Sequence, residues 1–266
     1  MSLISDASWQ SASVLRGAVA AFLSLILTAA LPAFSQTQRF SELDPYLGDA
    51  ANWEPLTASR WSVALDGGDT RYGISGTNYS ERSGSRLGEY SLVKGRTYGD
   101  FAFSARVRSG ENFAANANAD HAVVFGLQDA SNYYYAMFNR TAAETRLFKV
   151  VGGVRQPALA IGNYAIPDNG YHQIEVSRAG SLIAVKADGA VLMQVNDATF
   201  GAGRVGIGSF NDAAWWDDVA IAGASATMFS TLDPYFGDAA NWEPLTASRW
   251  SVASDRGDMR YGINTT

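Results

Sequence analysis

The chain has 266 residues, 47% apolar and 17% charged, enough apolar material for a full core in one large domain or two small ones. Its formal net charge is −6 and it has no Lys/Arg-rich run, which excludes nucleic-acid binding by charge neutralisation, because a phosphate track needs a basic face. It has no cysteine, so disulfides, thiolate nucleophiles and Cys-based zinc sites are excluded too.

Residues 17–35, GAVAAFLSLILTAALPAFS, are apolar and uncharged and follow Arg16. Ala33 and Ser35 place small residues at the −3 and −1 positions of a cleavage site before Gln36, and residues 1–35 read as a secretory signal peptide. The competing reading is a membrane anchor. The run lies near the lower limit of about 18–20 residues for a span, and Pro32 with the small pair favours cleavage. The expected location is secreted or periplasmic, with no membrane span in the mature chain.

A repeat begins at Phe40. The 38 positions from Phe40 to Thr77 recur at Phe229–Thr266, an offset of 189 residues, and only seven of them differ. The differences are Glu42/Thr231, Leu47/Phe236, Leu65/Ser254, Gly67/Arg256, Thr70/Met259, Ser75/Asn264 and Gly76/Thr265. A 189-residue unit is far longer than solenoid repeats of roughly 20–50 residues and has the size of a domain. The expected organisation is a domain at 40–226 and the opening of a second copy at 229–266. The copy belongs to a tandem array, or it docks on the first unit by strand exchange within or between chains.

Within the unit, period-2 alternation dominates. DFAFSARVRS sets Phe101, Phe103, Ala105 and Val107 against Ser104, Arg106 and Arg108, the pattern of a half-buried strand. ENFAANANAD (111–120) reads as a loop. AVVFGLQD and NYYYAMFNR flank a short turn at Ala130-Ser131, and RLFKVVGGVRQ turns at Gly152-Gly153. HQIEVSRAG alternates about Ile174 and Val176. LIAVKADGAVLMQV is a hairpin about Asp188-Gly189, since both residues tolerate positive φ. GRVGIGSFN and WWDDVAIAG close the unit. About a dozen strands between Gly/Asn/Asp turns predict an all-β fold, an antiparallel two-sheet jelly-roll sandwich.

Two stretches concentrate candidate binding residues. QDASNYYYAMFNR offers Gln128, Asp129, Asn132, Tyr133, Tyr134, Tyr135, Asn139 and Arg140, where aromatic faces stack on sugar rings and amides and carboxylates take hydroxyls. Alternation puts Tyr133 and Tyr135 on one face and Tyr134 on the other, so one face is core and the outward ring is the ligand candidate. NDAAWWDDVAI adds Trp215 and Trp216, and a regular strand there would put Trp215, Asp217, Val219 and Ile221 on one face. Asp217 would then need a partner, since a lone buried charge is costly. Among catalytic options, Glu89, Glu111, Glu144 and Glu175 are isolated, so no i, i+2 acid pair of a glycosidase is visible. A lyase would use a His or Tyr base with Arg, from His121, His172, Arg140, Arg146 and the Tyr133–Tyr135 run. The plainer expectation is an ordinary hydrogen bond for His172 at a strand start and a structural pair of His121 with Asp120.

The order of these motifs resembles the concanavalin A-like lectin/glucanase superfamily, in its laminin-G-like bacterial branch. The resemblance runs through RWSV and DGGD, GDFAFSARVR, ADHAVVFGLQDASNYYYAMFN, TRLFKVVGGVR, YHQIEVSRAGSLIAVKADGAVLMQVND and GRVGIGSFNDAAWWDDVAI. It implies two curved sheets, a face or rim that meets carbohydrate, and a structural Ca²⁺. A closing strand of the "DDV" kind would supply Asp217 or Asp218 as calcium ligands, and the loop LDGGD would add Asp66 and Asp69. The expected function is a secreted, non-catalytic glycan-binding module, one unit of a tandem array. A polysaccharide-degrading enzyme of the same fold and an adhesive repeat domain are the alternatives.

Overall fold

The computed structural model describes residues 40–223 except 42 and 77, and residues 250–255 and 258–263. The expectation of an export signal over 1–35 lies outside the described residues. No helix among them is long and apolar enough to cross a membrane.

The strands, in chain order, are β1 (Trp53–Pro55), β2 (Trp61–Asp66), β3 (Asp69–Ile74), β4 (Glu89–Val93), β5 (Phe101–Ser109), β6 (Asp120–Asp129), β7 (Asn132–Asn139), β8 (Arg146–Val151), β9 (Val154–Arg155), β10 (Ala160–Ile161), β11 (His172–Ala179), β12 (Leu182–Ala187), β13 (Ala190–Asn196), β14 (Arg204–Ser209), β15 (Ala214–Ala222), β16 (Trp250–Asp255) and β17 (Asp258–Ile263). β1–β15 form an eight-stranded sheet in the order β1-β4-β14-β6-β7-β8-β10, with β9 on β8, and a seven-stranded sheet in the order β13-β12-β11-β5-β15-β3-β2, while β16 pairs with β17 in a two-stranded sheet. The described pairings are antiparallel, and the fold is the expected jelly-roll sandwich. The Asp188-Gly189 turn joins β12 to β13 with both residues at positive φ, and Gly152-Gly153 joins β8 to β9 in the same way.

Alternation fills the space between the sheets. Phe101, Phe103, Ala105 and Val107 of β5, Ile174 and Val176 of β11, and Val123, Phe125 and Tyr134 of β6 and β7 are buried there. The eight-stranded sheet is buried on its other face as well. Tyr90, Leu92, Ala122, Val124, Tyr133, Tyr135, Phe148 and Val150 form a second apolar cluster, together with Leu87 and, at its edge, Ala158 and Phe210. The segments around Arg82–Leu87 and Gly152–Ala158 lie over it. Arg82 sits over the Tyr90 ring, Arg155 over Phe148 and Phe210, and the Arg155 N–H donates to Gly84 O at 2.9 Å. Burial on both faces explains the unbroken apolar runs AVVF and YYYAMF, which one-sided alternation does not.

β15 departs from the regular strand expected of it. Asp218 takes a φ of 48° and forms a bulge between Asp217 and Ala220. The extra residue shifts the phase, so Trp216, Val219 and Ile221 turn to the core while Trp215 and Asp217 lie on the outer face. The bulge seats the start of the domain: the Asp218 N–H donates to Phe40 O at 3.1 Å, and the Ser41 hydroxyl donates to Val219 O at 2.9 Å.

Candidate functional site

The structure disperses the residues that sequence proximity grouped. Tyr133, Tyr134 and Tyr135 are all fully buried, Tyr134 in the main core and the other two in the second cluster. None is the outward ring expected of the run, because segments 82–87 and 152–158 cover the face that alternation left open. The Tyr134 hydroxyl donates to Asp197 at 2.5 Å, which ties the core to the loop after β13. Trp216 is fully buried. Gln128, Asp129 and Asn132 sit at the β6–β7 turn, where Asp129 accepts from Ser131 N and from the Asn132 amide, and Gln128 donates to Ala202 O. Asn139 and Arg140 are at the far end of β7, buried and half-buried, and Arg140 donates to Ile166 O and Pro167 O. These contacts brace loops.

The histidines divide. His172 makes the ordinary contacts expected at a strand start, with Asp188 at 3.0 Å and Asp168 at 3.2 Å. His121 does not pair with Asp120. Adjacent strand residues point to opposite faces, so Asp120 accepts from the Ser209 hydroxyl and Phe210 N while His121 stacks on Phe138 and meets the edge of Trp216 in the core.

A different group converges on the outer face of the seven-stranded sheet. The hairpin β2–β3 brings Asp66, Asp69 and Arg71, β5 brings Arg106 and Arg108, β15 brings Trp215, Asp217 and Asp218, and Tyr171 precedes β11. Asp66 Oδ2 accepts from Arg71 at 2.8 Å and from the Tyr171 hydroxyl at 3.1 Å, and lies 3.3 Å from Arg108. Arg106 donates through Nη2 to Asp217 at 2.5 Å and through Nε to Asp218 at 2.7 Å, and lies 4.0 Å from Asp69. The Arg71 guanidinium stands 4.3 Å from the Trp215 ring, and Arg106 and Arg108 stand 5.0 and 5.6 Å from the Tyr171 ring. The buried Nε donors of Arg71 and Arg108 have no hydrogen-bond partner among the described residues.

The electrostatics follow from these contacts. Burial acts to raise the Asp66 pKa, but the Tyr171 hydroxyl and the guanidiniums of Arg108 and Arg71 outweigh it and hold the carboxyl below its usual range. Burial pushes Tyr171 up to about 12, with the Asp66 carboxylate adding to the effect. Asp217 is pushed up to about 6 by burial, against the opposing pull of the Asp218 N–H and of Arg106. Each of the three guanidiniums thus lies beside an aspartate carboxylate and an aromatic ring.

Trp215 and the four aspartates were legible as candidates, but the arginines and Tyr171 were not. Their signal is the Arg106/Arg108 alternation on the polar face of β5, which gains meaning only once β15 and β3 lie beside it. The same arginines bear on the expected calcium. Arg106 already supplies the countercharge to Asp217 and Asp218, and among the described residues no three acidic or histidine side chains gather as a metal-binding group. Calcium wants six to eight oxygen ligands, and this donor set does not fit it.

Neither a protein-family model nor a curated protein sequence matches the chain. Solved structures do resemble it. A carbohydrate-binding module, CBM66, from Bacillus subtilis aligns with a TM-score of 0.50 at 17% identity, covering 64% of this chain and 94% of the module. A Bacillus subtilis protein of unknown function with a galectin-like fold aligns at 0.48 and 13% identity, over 71% of this chain and 94% of its own. A Bacteroides ovatus mixed-linkage-glucan GH16 protein aligns at 0.44 and 11% identity, over 70% and 98%. The sandwich described at 40–223 has the concanavalin A-like jelly-roll fold.

Proposed function

We propose that the domain binds a poly- or oligosaccharide, without cleaving it, on the outer face of its seven-stranded sheet. The observation that carries this reading is the juxtaposition of Trp215 and Tyr171 with Arg71, Arg106, Arg108, Asp66, Asp69 and Asp218. A sugar presents apolar ring faces between hydroxyls that both donate and accept. Aromatic rings match the former, and guanidinium donors beside carboxylate acceptors match the latter. The salt-bridged network lowers the ordering cost of binding, since its side chains are already held. The likeness to a carbohydrate-binding module supports the same reading. Export through residues 1–35 would place the domain where such glycans occur.

Titration calorimetry and affinity electrophoresis against a panel of soluble neutral and acidic polysaccharides test it. At least one should bind the wild-type chain, and Trp215→Ala should weaken that binding about fivefold or more, an aromatic contact being worth roughly 1 kcal/mol or above, with little change in melting temperature. Failure to bind any of the panel, undiminished binding by Trp215→Ala, or the release of new reducing ends would each overturn the reading.

A further inference from the structure

We propose that the hairpin β16–β17 is a second occupant for the place that β2–β3 takes at the edge of β15, so that either copy completes the seven-stranded sheet. The first argument is register. β2–β3 pairs Trp61 with Ile74, Val63 with Tyr72 and Asp66 with Asp69, and β16–β17 pairs Trp250 with Ile263, Val252 with Tyr261 and Asp255 with Asp258. The two hairpins fold alike, yet among the described residues β16–β17 forms a two-stranded sheet of its own.

The second argument is that little backbone pairing joins the resident hairpin to the sheet. β2 is the edge strand, so among the described residues the hairpin's ladder to the rest of the sheet is the β3–β15 junction, three residue pairs: Ala214 with Ile74, Trp215 with Gly73 and Trp216 with Tyr72. β15 pairs with β5, its other neighbour, over seven. The neck of the hairpin is closed by Ser75 N donating to Arg60 O at 3.1 Å, so its two ends leave side by side and residues 61–74 can swing out as one piece. The 26 residues between Gly223 and Trp250 span up to roughly 85 Å, ample to bring the copy to β15 of its own chain.

The third argument is what the copy keeps and changes. It keeps glycine at the position of Gly73, where a Cβ would stand 2.1 Å from Ala214 O, and keeps Trp, Tyr and Ile at the positions of buried Trp61, Tyr72 and Ile74. Exposed Leu65 faces buried Thr70 across the resident hairpin, and the copy has Ser254 facing Met259, so its larger apolar residue stands at the position the seat buries. The copy also repeats Asp66, Asp69 and Arg71 as Asp255, Asp258 and Arg260, but has Arg256 for Gly67. Seating it would rebuild the polar face with one more guanidinium at its rim. That consequence rests on the proposed function; the exchange itself does not.

The test reads folding in the full chain. Ile74→Asp, Ile263→Asp and the double variant are compared by thermal melting and analytical ultracentrifugation. Each single variant should keep a cooperative melt and sediment as the wild type does, while the double variant loses the cooperative transition. Tyr72→Asp and Tyr261→Asp, alone and together, should repeat the pattern. Loss of the cooperative melt in Ile74→Asp alone, or a double variant that melts like Ile74→Asp, overturns the proposal. A rescued Ile74→Asp that sediments as a dimer when the wild type does not overturns the assignment to the same chain and gives the seat to a second molecule. Glycan binding enters none of these readouts, so failure here is distinguishable from failure of the proposed function.

Discussion

His121 carries an unusual cost. It lies in the core against Phe138 and Trp216, with both ring nitrogens unpartnered among the described residues. Burial, with a smaller contribution from His172, pushes its pKa down to about 3. The sign follows from linkage: the unfolded chain takes up a proton near the ordinary histidine value of about 6.5 and the folded chain does not, so stability falls as pH drops through the window between the two. The slope is about 1.4 kcal/mol per pH unit. His121→Leu should therefore be the more stable protein, and its advantage in urea denaturation should grow by about 2–3 kcal/mol between pH 6.5 and 4.5. An advantage that does not grow on acidification would show that His121 protonates in the folded state. Sequence reading paired this histidine with Asp120 because the two are adjacent in the chain. In a strand adjacency means opposite faces, and only the sandwich shows which face each one takes.

At the scale of the element, the bulge at Asp218 decides what β15 displays. Without it, Trp215, Asp217, Val219 and Ile221 would share a face, and an apolar pair would project from the sheet beside a buried carboxylate. With it, Val219 and Ile221 return to the core, and Asp217 and Asp218 both reach Arg106. Asp218→Val places a β-branched residue where φ is 48°, so it should press β15 into regular phase with Val219 turned outward and lower the melting temperature by about 10 °C or more. Asp218→Gly should behave differently. Glycine accepts the φ of 48° without strain, so only the partly exposed pairing with Arg106 is lost, and melting should fall by no more than a few degrees. If Asp218→Val melts like Asp218→Gly, the bulge does not set the face.

For the whole molecule, the buried carboxyls of Asp120 and Asp212 set a pH dependence opposite to that of His121. Burial and the neighbouring Asp212 carboxyl push Asp120 well above the usual carboxylate range, and burial raises Asp212. A raised carboxyl keeps its proton in the folded state when the unfolded chain has lost it, so stability is full below about pH 4 and falls as pH rises through the folded value. Asp120→Asn keeps the acceptor used by Ser209 and Phe210 N and removes the ionisation. Its melting temperature should match the wild type at pH 3.5 and exceed it by a few degrees at pH 8; a constant difference across that range would show that the pair does not titrate there. How much of this was legible depends on the range of the interaction. Alternation in DFAFSARVRS and HQIEVSRAG and the turn residues Asp188-Gly189 and Gly152-Gly153 act between neighbours in the chain, so the sequence by itself determined the strands, the hairpins, the sandwich class and the repeat. The charged and aromatic cluster on the outer face of the seven-stranded sheet did not follow, because Arg71, Arg106, Trp215 and Tyr171 come from separate segments, and their meeting depends on strand order and on one bulged residue. The burial of Tyr133 and Tyr135 depends likewise on segments 82–87 and 152–158 crossing a face that local pattern leaves open. Only the tertiary structure decided these, since local periodicity states that a side chain has a face but not what lies against it.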